Sequence, residues 1–336
     1  MGDKTARSYL RLEYNKCGET EALTDDCISW SYQDNATGKA DTINLTLSDA
    51  DQKWLNNYYP EAEDKLTAWI EVDGWFEGGT PGELFCGSFM VDSFSAAGLP
   101  HTATIKGISV PVNADFAVTQ KDRTWKSMTL SQIASDIASS AGVGLAFEAG
   151  DVSIEEESQS GKTDEAFLYS LVNERGYAMK LFNDKIVIYD PGMYEQEAAR
   201  HTITQGDCES YTVDTAIVEQ YDSVKMQYTN GKSEETLTYQ FTVPGTAGRK
   251  TLIVSGKADS IGDAEFKAKA ALREKLRSEY RLSCTVMGST NYIASDCVDI
   301  SGFGKIDGKY FIDTVTHEKS GAYKCTLDMH KVIVAF

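Results

Sequence analysis

Apolar residues recur at steps of three and four between positions 129 and 142, and this spacing predicts an amphipathic helix. The apolar positions are Leu130, Ile133, Ala134, Ile137, Ala138 and Ala141. Thr129 or Ser127 can cap the start of this helix by accepting a hydrogen bond from a free backbone N–H. Gly142 can adopt the left-handed conformation that ends a helix. We therefore expect one face of this helix to pack against a sheet.

The residues that follow predict a compact α/β unit. The predicted order is a strand at 143–147, a polar loop with glutamates at 155–157, a helix from Thr163 to Gly176, and strands at 177–182 and 185–189 around an Asn183–Asp184 turn. The second helix carries Phe167, Leu168, Leu171 and Val172 on one face. Two amphipathic helices on a small sheet can bury a single core.

Both flanks of this unit alternate apolar and polar residues, which is the period of half-buried β-strands. In the clearest strand, 41–49, the side chains of Ile43, Leu45 and Leu47 share one face. Asn230–Gly231 is a strong hairpin signal, and one helix is predicted at 260–280. The other predicted strands are 6–14, 27–32, 65–72, 83–92, 103–110, 221–228, 235–243, 281–287, 296–300, 308–315 and 323–329. Many short strands separated by turns favour barrels or sandwiches.

The middle stretch resembles a known family. Arg123 and Trp125 precede a Thr-Leu-x-x-Ile-Ala-x-x-Ile-Ala-x-x-Ala-Gly run that ends at Gly142. A second run, Asp-Glu-Ala-Phe-Leu-x-x-Leu-x-x-x-x-Gly, spans 164–176. Both runs are similar to the middle domain of the phage late control gene D family. Members of this family are central hub proteins of contractile phage tails and related injection machines, and the N-terminal part of VgrG spike proteins is similar.

The first β region resembles the same family in the order of its short motifs. The matching pieces are Ala40-Asp41, Leu45 to Asp49, Cys86 to Asp92 and Pro100 to Ser109. The resemblance implies a mainly β protein of the α+β class. It implies two tube-like antiparallel β-barrel domains at 1–115 and 193–336, the second with one helix. A small α/β, LysM-like middle domain at 116–192 would lie between them.

The resemblance also implies a structural role, with no enzymatic activity. Such a baseplate hub protein joins the inner tube of a contractile tail to its central spike. It forms a homotrimer whose six barrels make a ring of approximate sixfold symmetry, and it contacts a tube or tube-initiator protein and other baseplate proteins. Because the chain ends at Phe336 without a spike β-helix, we expect the spike to be a separate chain. We expect assembly in the bacterial cytoplasm and incorporation into a virion or tail-like particle.

The charge of the chain is strongly negative. Its 336 residues include 32 basic and 51 acidic side chains, which give a net charge of −19. Residues 1–120 hold 8 basic and 19 acidic side chains, whereas residues 201–336 are nearly balanced at 16 and 18. An acidic surface repels phosphates, so specific nucleic-acid binding is disfavoured. The charge fits a solvated acidic surface, and it also fits a bore that DNA passes without binding, which would be lined mainly by 1–120. The sequence lacks a membrane-spanning run and a signal peptide.

The sequence predicts no catalytic, cofactor-binding or metal-ligating residue. Seven scattered cysteines without a close pair favour reduced thiols over a zinc site. Residues 160–163 match the end of a phosphate-binding loop, but Glu156 stands where that loop requires glycine. The segment 302–307 lacks the third glycine of a dinucleotide fingerprint and predicts a hairpin turn. His317 and Glu318 predict an exposed pair at a strand end.

Two other functions remain open. Residues 129–134 also resemble the first helix of a LysM module, which binds peptidoglycan. Ser127 and Met128 stand where such modules usually carry Gly-Asp. A hydrolase of bacterial surface polymers is the third reading, because carboxylates are plentiful although no pair stands out. Binding to purified peptidoglycan and a turnover assay distinguish these readings from the hub.

Overall fold

The computed structural model describes residues 6–16, 20–61, 63–74, 81–109, 114–230, 236–245, 248–258 and 260–332. The first half contains β1 (Arg7–Tyr14), α1 (Thr20–Asp26), β2 (Cys27–Asn35), β3 (Thr42–Ser48), β4 (Lys65–Asp73), β5 (Gly82–Ala97), β6 (Thr102–Ile108), α2 (Ala114–Val118), β7 (Gln120–Thr129), α3 (Leu130–Ala141), β8 (Gly144–Glu148), β9 (Ser153–Thr163) and α4 (Asp164–Asn173). The second half contains β10 (Ala178–Phe182), β11 (Lys185–Tyr189), α5 (Pro191–Gln196), β12 (His201–Thr204), β13 (Cys208–Thr215), β14 (Tyr221–Asn230), β15 (Thr236–Thr242), β16 (Lys250–Ala258), α6 (Ile261–Arg277), β17 (Tyr280–Met287), β18 (Cys297–Ser301), β19 (Gly308–Lys319) and β20 (Tyr323–Lys331). Short 3₁₀ turns lie at Lys53–Leu55, Gln205–Asp207 and Gly304–Ile306.

The two β regions share one twelve-stranded sheet, which we call the long sheet. Its main strand order is β1-β4-β5-β6-β3-β2-β19-β20-β17-β13, and β18 joins β12 to β19. Strands β2 and β19 pair antiparallel from Asn35↔Thr314 to Trp30↔Lys319, which links the first β region to the last. Because successive side chains of a strand point to opposite faces, one face of β3 lies in the core, where Ile43, Leu45 and Leu47 are each 1% exposed. The mainly β prediction is confirmed, while the division of this sheet into two closed barrels stays a prediction.

The middle unit contains the predicted helices. Helix α3 starts after Thr129, whose hydroxyl accepts from the Gln132 N–H in a capping box, and ends at Gly142 with φ +69°. Its predicted apolar face is buried. Helix α4 starts after Thr163, and β10 pairs antiparallel with β11 across the Asn183–Asp184 turn. Strand β8 lies parallel to β11, so the unit is a three-stranded sheet with helices packed on it.

The polar loop predicted around the three glutamates is instead a strand. Strand β9 pairs antiparallel with β7, from Gln120↔Thr163 to Thr129↔Ser153. These two strands form a ribbon that is mostly polar. Only a few of its side chains, such as Trp125, Ile154 and Gln159, are buried. The apolar period was therefore too sparse to predict a strand, and backbone pairing holds the ribbon together.

The predicted hairpin and helix after β13 form a separate small unit. Strand β14 pairs antiparallel with β15 and parallel with β16, and the three make their own sheet. Helix α6 packs on one face of this sheet, where Ala264, Ala268 and Leu272 are fully buried against Val224 and its neighbours. Gly231 of the predicted turn lies outside the described residues. These strands were expected in the second barrel, but their hydrogen bonds do not join the long sheet.

Candidate functional site

The residues that carry the family resemblance hold the middle unit together. The Trp125 ring stacks on Phe167 with centroids 5.0 Å apart, and the Arg123 guanidinium bonds the Asp164 carboxylate. Asp164 is fully buried and also accepts from Lys121 Nζ at 2.8 Å. Because these contacts join β7 to α4, the motif has a structural role in the middle unit.

A buried ion-pair cluster joins the middle unit to the long sheet. The Lys180 ammonium bonds the Asp34 carboxylate and lies 3.1 Å from Asp41 Oδ2. Asp41 also accepts from the Asn35 N–H at 2.8 Å, and Asp34 accepts from the Ala294 N–H at 2.8 Å. Burial raises the pKa of Asp41 to about 7, although neighbouring Lys180 acts in the opposite direction. Removing one partner of such a cluster leaves a buried charge, so the cluster fixes this joint.

Neutral hydrogen bonds extend the same joint along the 34–41 segment. The Tyr189 hydroxyl donates to the Ala36 carbonyl at 2.6 Å. The Thr37 hydroxyl donates to the Met179 carbonyl at 3.3 Å. Both bonds lie between the first β region and the hairpin of the middle unit. The joint therefore sets the orientation of the middle unit on the long sheet.

The two segments that partly match nucleotide-binding motifs have structural roles, as expected because each lacks a required glycine. Residues 160–163 end strand β9, and the Gly161 N–H donates to Asp122 Oδ1 at 2.9 Å. In the turn between β18 and β19, the Asp307 carboxylate accepts from the N–H groups of Gly302 and Phe303 at 3.1 and 2.7 Å. In both segments a carboxylate already accepts from backbone N–H groups, which disfavours a bound anion there.

The prediction of an exposed His317 is wrong. His317 is fully buried, and its Nδ1 lies 2.8 Å from the Tyr323 hydroxyl and 3.2 Å from Cys325 Sγ. Burial lowers the pKa of His317 to about 4 and raises the pKa of the Cys325 thiol to about 12. A neutral imidazole beside a protonated thiol resembles a catalytic dyad only in composition. Because the pair lies inside the core, it serves packing.

Other candidate chemistry is sparse in the part of the chain that the structure describes. No cluster of three or more histidine, cysteine, aspartate or glutamate side chains there could hold a metal ion. The six cysteines in the described ranges are free thiols, and Cys17 lies outside those ranges. No helix within the described ranges is long and apolar enough to cross a membrane.

The two ends of the long sheet are protected unequally. Beside β1, the Lys319 ammonium bonds the Ser8 carbonyl, and α1 packs against the strand. At the other end, β13 pairs only with β17 among the described strands, and most of its side chains are exposed. Tyr211 is 46% exposed, and Ile217 and Val218 just beyond the strand are 79% and 72% exposed. An uncovered edge can pair with another chain, so β13 is the candidate interface.

Comparisons with known proteins place this fold among tail proteins. No family model and no curated protein matches the chain. A tail protein from Neisseria meningitidis is 13% identical, with a TM-score of 0.70 over 98% of each chain. The prophage MuSo2 43 kDa tail protein from Shewanella oneidensis is 13% identical, with a TM-score of 0.66 over 96% of this chain and 97% of that one.

A secretion-system component has the same architecture. The E. coli c3393 protein, a component of the type VI secretion system described as structurally similar to the T4 bacteriophage tail proteins gp27 and gp5, is 12% identical to this chain. Its TM-score is 0.60, over 97% of this chain and 78% of that one. The chain therefore has the fold that these phage tail proteins and this secretion-system component share, along nearly its whole length.

Proposed function

We propose that this chain is a structural baseplate hub protein of a contractile phage tail or a phage-tail-like injection particle, and that it joins the inner tube to the central spike. The observation that carries the proposal is the shared fold with tail proteins, which extends over almost the full length of both chains. The buried state of Cys325 and His317 supports a non-enzymatic role, because a substrate would not reach them.

We expect the working form to be a homotrimer. The long sheet has two different ends, and a contact that uses a different patch on each partner can close into a ring. The uncovered β13 edge supplies free backbone groups for such a contact, with Tyr211, Ile217 and Val218 as exposed apolar neighbours. Permanent interfaces of this kind usually bury more than about 2,000 Å² in total.

Charge constrains how the copies meet. Each chain carries −19, and salt screens only charges separated by more than about 8 Å at physiological ionic strength. Acidic side chains should therefore face solvent or the bore, and residues 1–120 should supply most of the bore lining. Such a bore lets DNA pass without specific binding. The partners would be a tube or tube-initiator protein, a separate spike and other baseplate proteins, assembled in the bacterial cytoplasm and carried in the virion or particle.

The proposed domains are 1–115, 116–192 and 193–336. The core of the middle unit supports these boundaries, since its buried members run from Phe116 to Ile188. The first and third regions contribute to one hydrophobic core as well as one sheet. The two tube-like barrels would therefore be the two halves of the long sheet, with the α6 unit attached to the second half.

Mass measurement in solution tests the assembly. Light scattering should give three chains of 36.9 kDa each, either for the protein alone or after addition of its spike. Thr212→Lys places a charge on the uncovered β13 edge and should shift the trimer to monomer. Thr238→Lys on the exposed surface of β15 adds the same charge elsewhere and should leave the trimer intact.

Four results would argue against the proposal or against a part of it. A stable dimer is incompatible with a threefold hub, and a trimer that survives Thr212→Lys would exclude the β13 contact. Retention on purified peptidoglycan would favour the LysM-type alternative, and turnover of cell-wall polymer would favour the hydrolase. We expect the wild-type protein to show neither.

A further inference from the structure

Five charged side chains of alternating sign form a row where α5 and α6 meet the long sheet. Arg277 Nε of α6 donates to Glu195 Oε1 of α5 at 2.7 Å. The same oxygen lies 3.3 Å from His330 Nε2, and His330 Nδ1 lies 2.9 Å from Asp313 Oδ1. Arg281 then lies 3.5 Å from the second Asp313 oxygen. The row joins α5 and α6 to three strands of the long sheet.

The geometry defines the protonation state of the histidine. Both ring nitrogens of His330 face carboxylate oxygens, and an ionised carboxylate only accepts hydrogen bonds. A neutral imidazole has one N–H, so only the doubly protonated ring satisfies both contacts. Burial by itself lowers the pKa of His330, but Asp313 and Glu195 outweigh it and raise the pKa above its ordinary value.

The row also borders a cleft beside α6. This cleft has a volume of about 670 Å³ and lies between α4 and α6, with Arg277, Asp313 and His330 in its lining. Near α4 the contact is close, since a Cβ at Gly176 would lie 3.1 Å from Ala270 Cβ. The charged row lines the opposite side of this cleft. Its loss would free α5 and α6 at the point where they meet the long sheet.

We propose that this row is an acid-stabilised latch: with both ring protons present, His330 holds α5 and α6 on the long sheet, and its deprotonation releases them. When the His330 ring loses one proton, a nitrogen lone pair faces a carboxylate oxygen. The row then also lacks the positive charge between the two carboxylates. Because the folded-state pKa is raised, the stabilisation is complete below about pH 6.5, the ordinary pKa of histidine, and disappears as pH rises through the folded-state pKa.

Amide hydrogen exchange of the full-length protein tests the latch. After correction for intrinsic exchange rates, amides of α5 and α6 in the wild type should open more often at pH 9 than at pH 6, because the His330 ring loses its second proton as the pH rises. His330→Gln cannot change charge, so its opening should be similar at both pH values. His101→Gln, on the β5–β6 turn, is the matched control and should behave as the wild type does.

Histidine resonances of the wild type give a second measurement that needs no destabilised variant. Among the four histidines, the His330 ring should titrate above pH 6.5 and the His317 ring near pH 4. Asp313→Asn removes one facing carboxylate and should move the His330 titration downward. The proposal is overturned if His330 titrates below pH 6.5, or if His330→Gln retains the pH-dependent opening of the wild type.

Discussion

Among the described glycines, Gly288 is the one where an added methyl group would make the closest contact. It follows β17 and is buried, and its N–H donates to the Tyr323 carbonyl at 3.0 Å. A Cβ there would lie 2.7 Å from Cδ2 of the Tyr323 ring and closer still to Cγ and Cδ1. The new carbon would therefore overlap the face of an aromatic ring.

The Tyr323 ring has little freedom to move away. Its hydroxyl lies 2.8 Å from His317 Nδ1, and its ring centroid lies 5.4 Å from that of Trp30. Overpacking of a rigid core typically costs about 1–3 kcal/mol, and the fixed ring places Gly288→Ala at the upper end of that range. Since about 1 kcal/mol lowers Tm by about 2–4 °C in domains of 150–250 residues, a cost of about 3 kcal/mol corresponds to a loss of about 6–12 °C.

Calorimetry of Gly288→Ala measures this loss directly. Gly321→Ala is the matched control, because Gly321 lies in the nearby β19–β20 turn and a Cβ there meets nothing within 4 Å. The control should stay within about 0.5 kcal/mol of the wild type, as surface substitutions usually do. If Gly288→Ala were equally harmless, the Tyr323 ring would not be fixed as described.

Two further predictions concern the middle unit. Ile137→Ala removes a fully buried side chain of α3 and should cost about 2–5 kcal/mol in urea unfolding, whereas a loss below about 0.5 kcal/mol would mean that this face is exposed. Lys180→Met leaves the Asp34 and Asp41 carboxylates buried without their cation, so it should cost about 3–5 kcal/mol at pH 8. Its cost should shrink at pH 5, where protonation of Asp41 removes one of the buried charges, and Lys180→Arg should be milder. A pH-independent cost would contradict the ion-pair description.

The middle helices could be predicted because several local signals agree there. In α3 the apolar period, the Thr129 cap and the terminal Gly142 all indicate the same bounds, and tertiary contacts change none of them. Strand β9 had no such signal. Glu155 and Glu156 are exposed, and only the pairing of β9 with β7 makes it a strand. The spacing of apolar residues within one segment does not reveal which distant segment it pairs with.

The burial of His317 could have been found in the sequence. In a strand, alternate residues share a face, so His317 lies on the face of Val315, which is fully buried. In β20, Tyr323, Cys325 and Leu327 show the same alternation. The His330 row was harder to predict, since its five members come from distant parts of the chain. Only the fold brings them together.

The pairing of β2 with β19 has a consequence for folding on the ribosome. Asn35 and Thr314 are 279 positions apart, and the edge of β2 stays unpaired until residues 314–319 have been made. The middle unit encloses its own core between Phe116 and Ile188 and can form well before then. The first β region would meanwhile carry an open edge. Such late, long-range closure is slow and leaves newly made chains prone to aggregation, so chaperones that shield unpaired strands should raise the yield of folded protein.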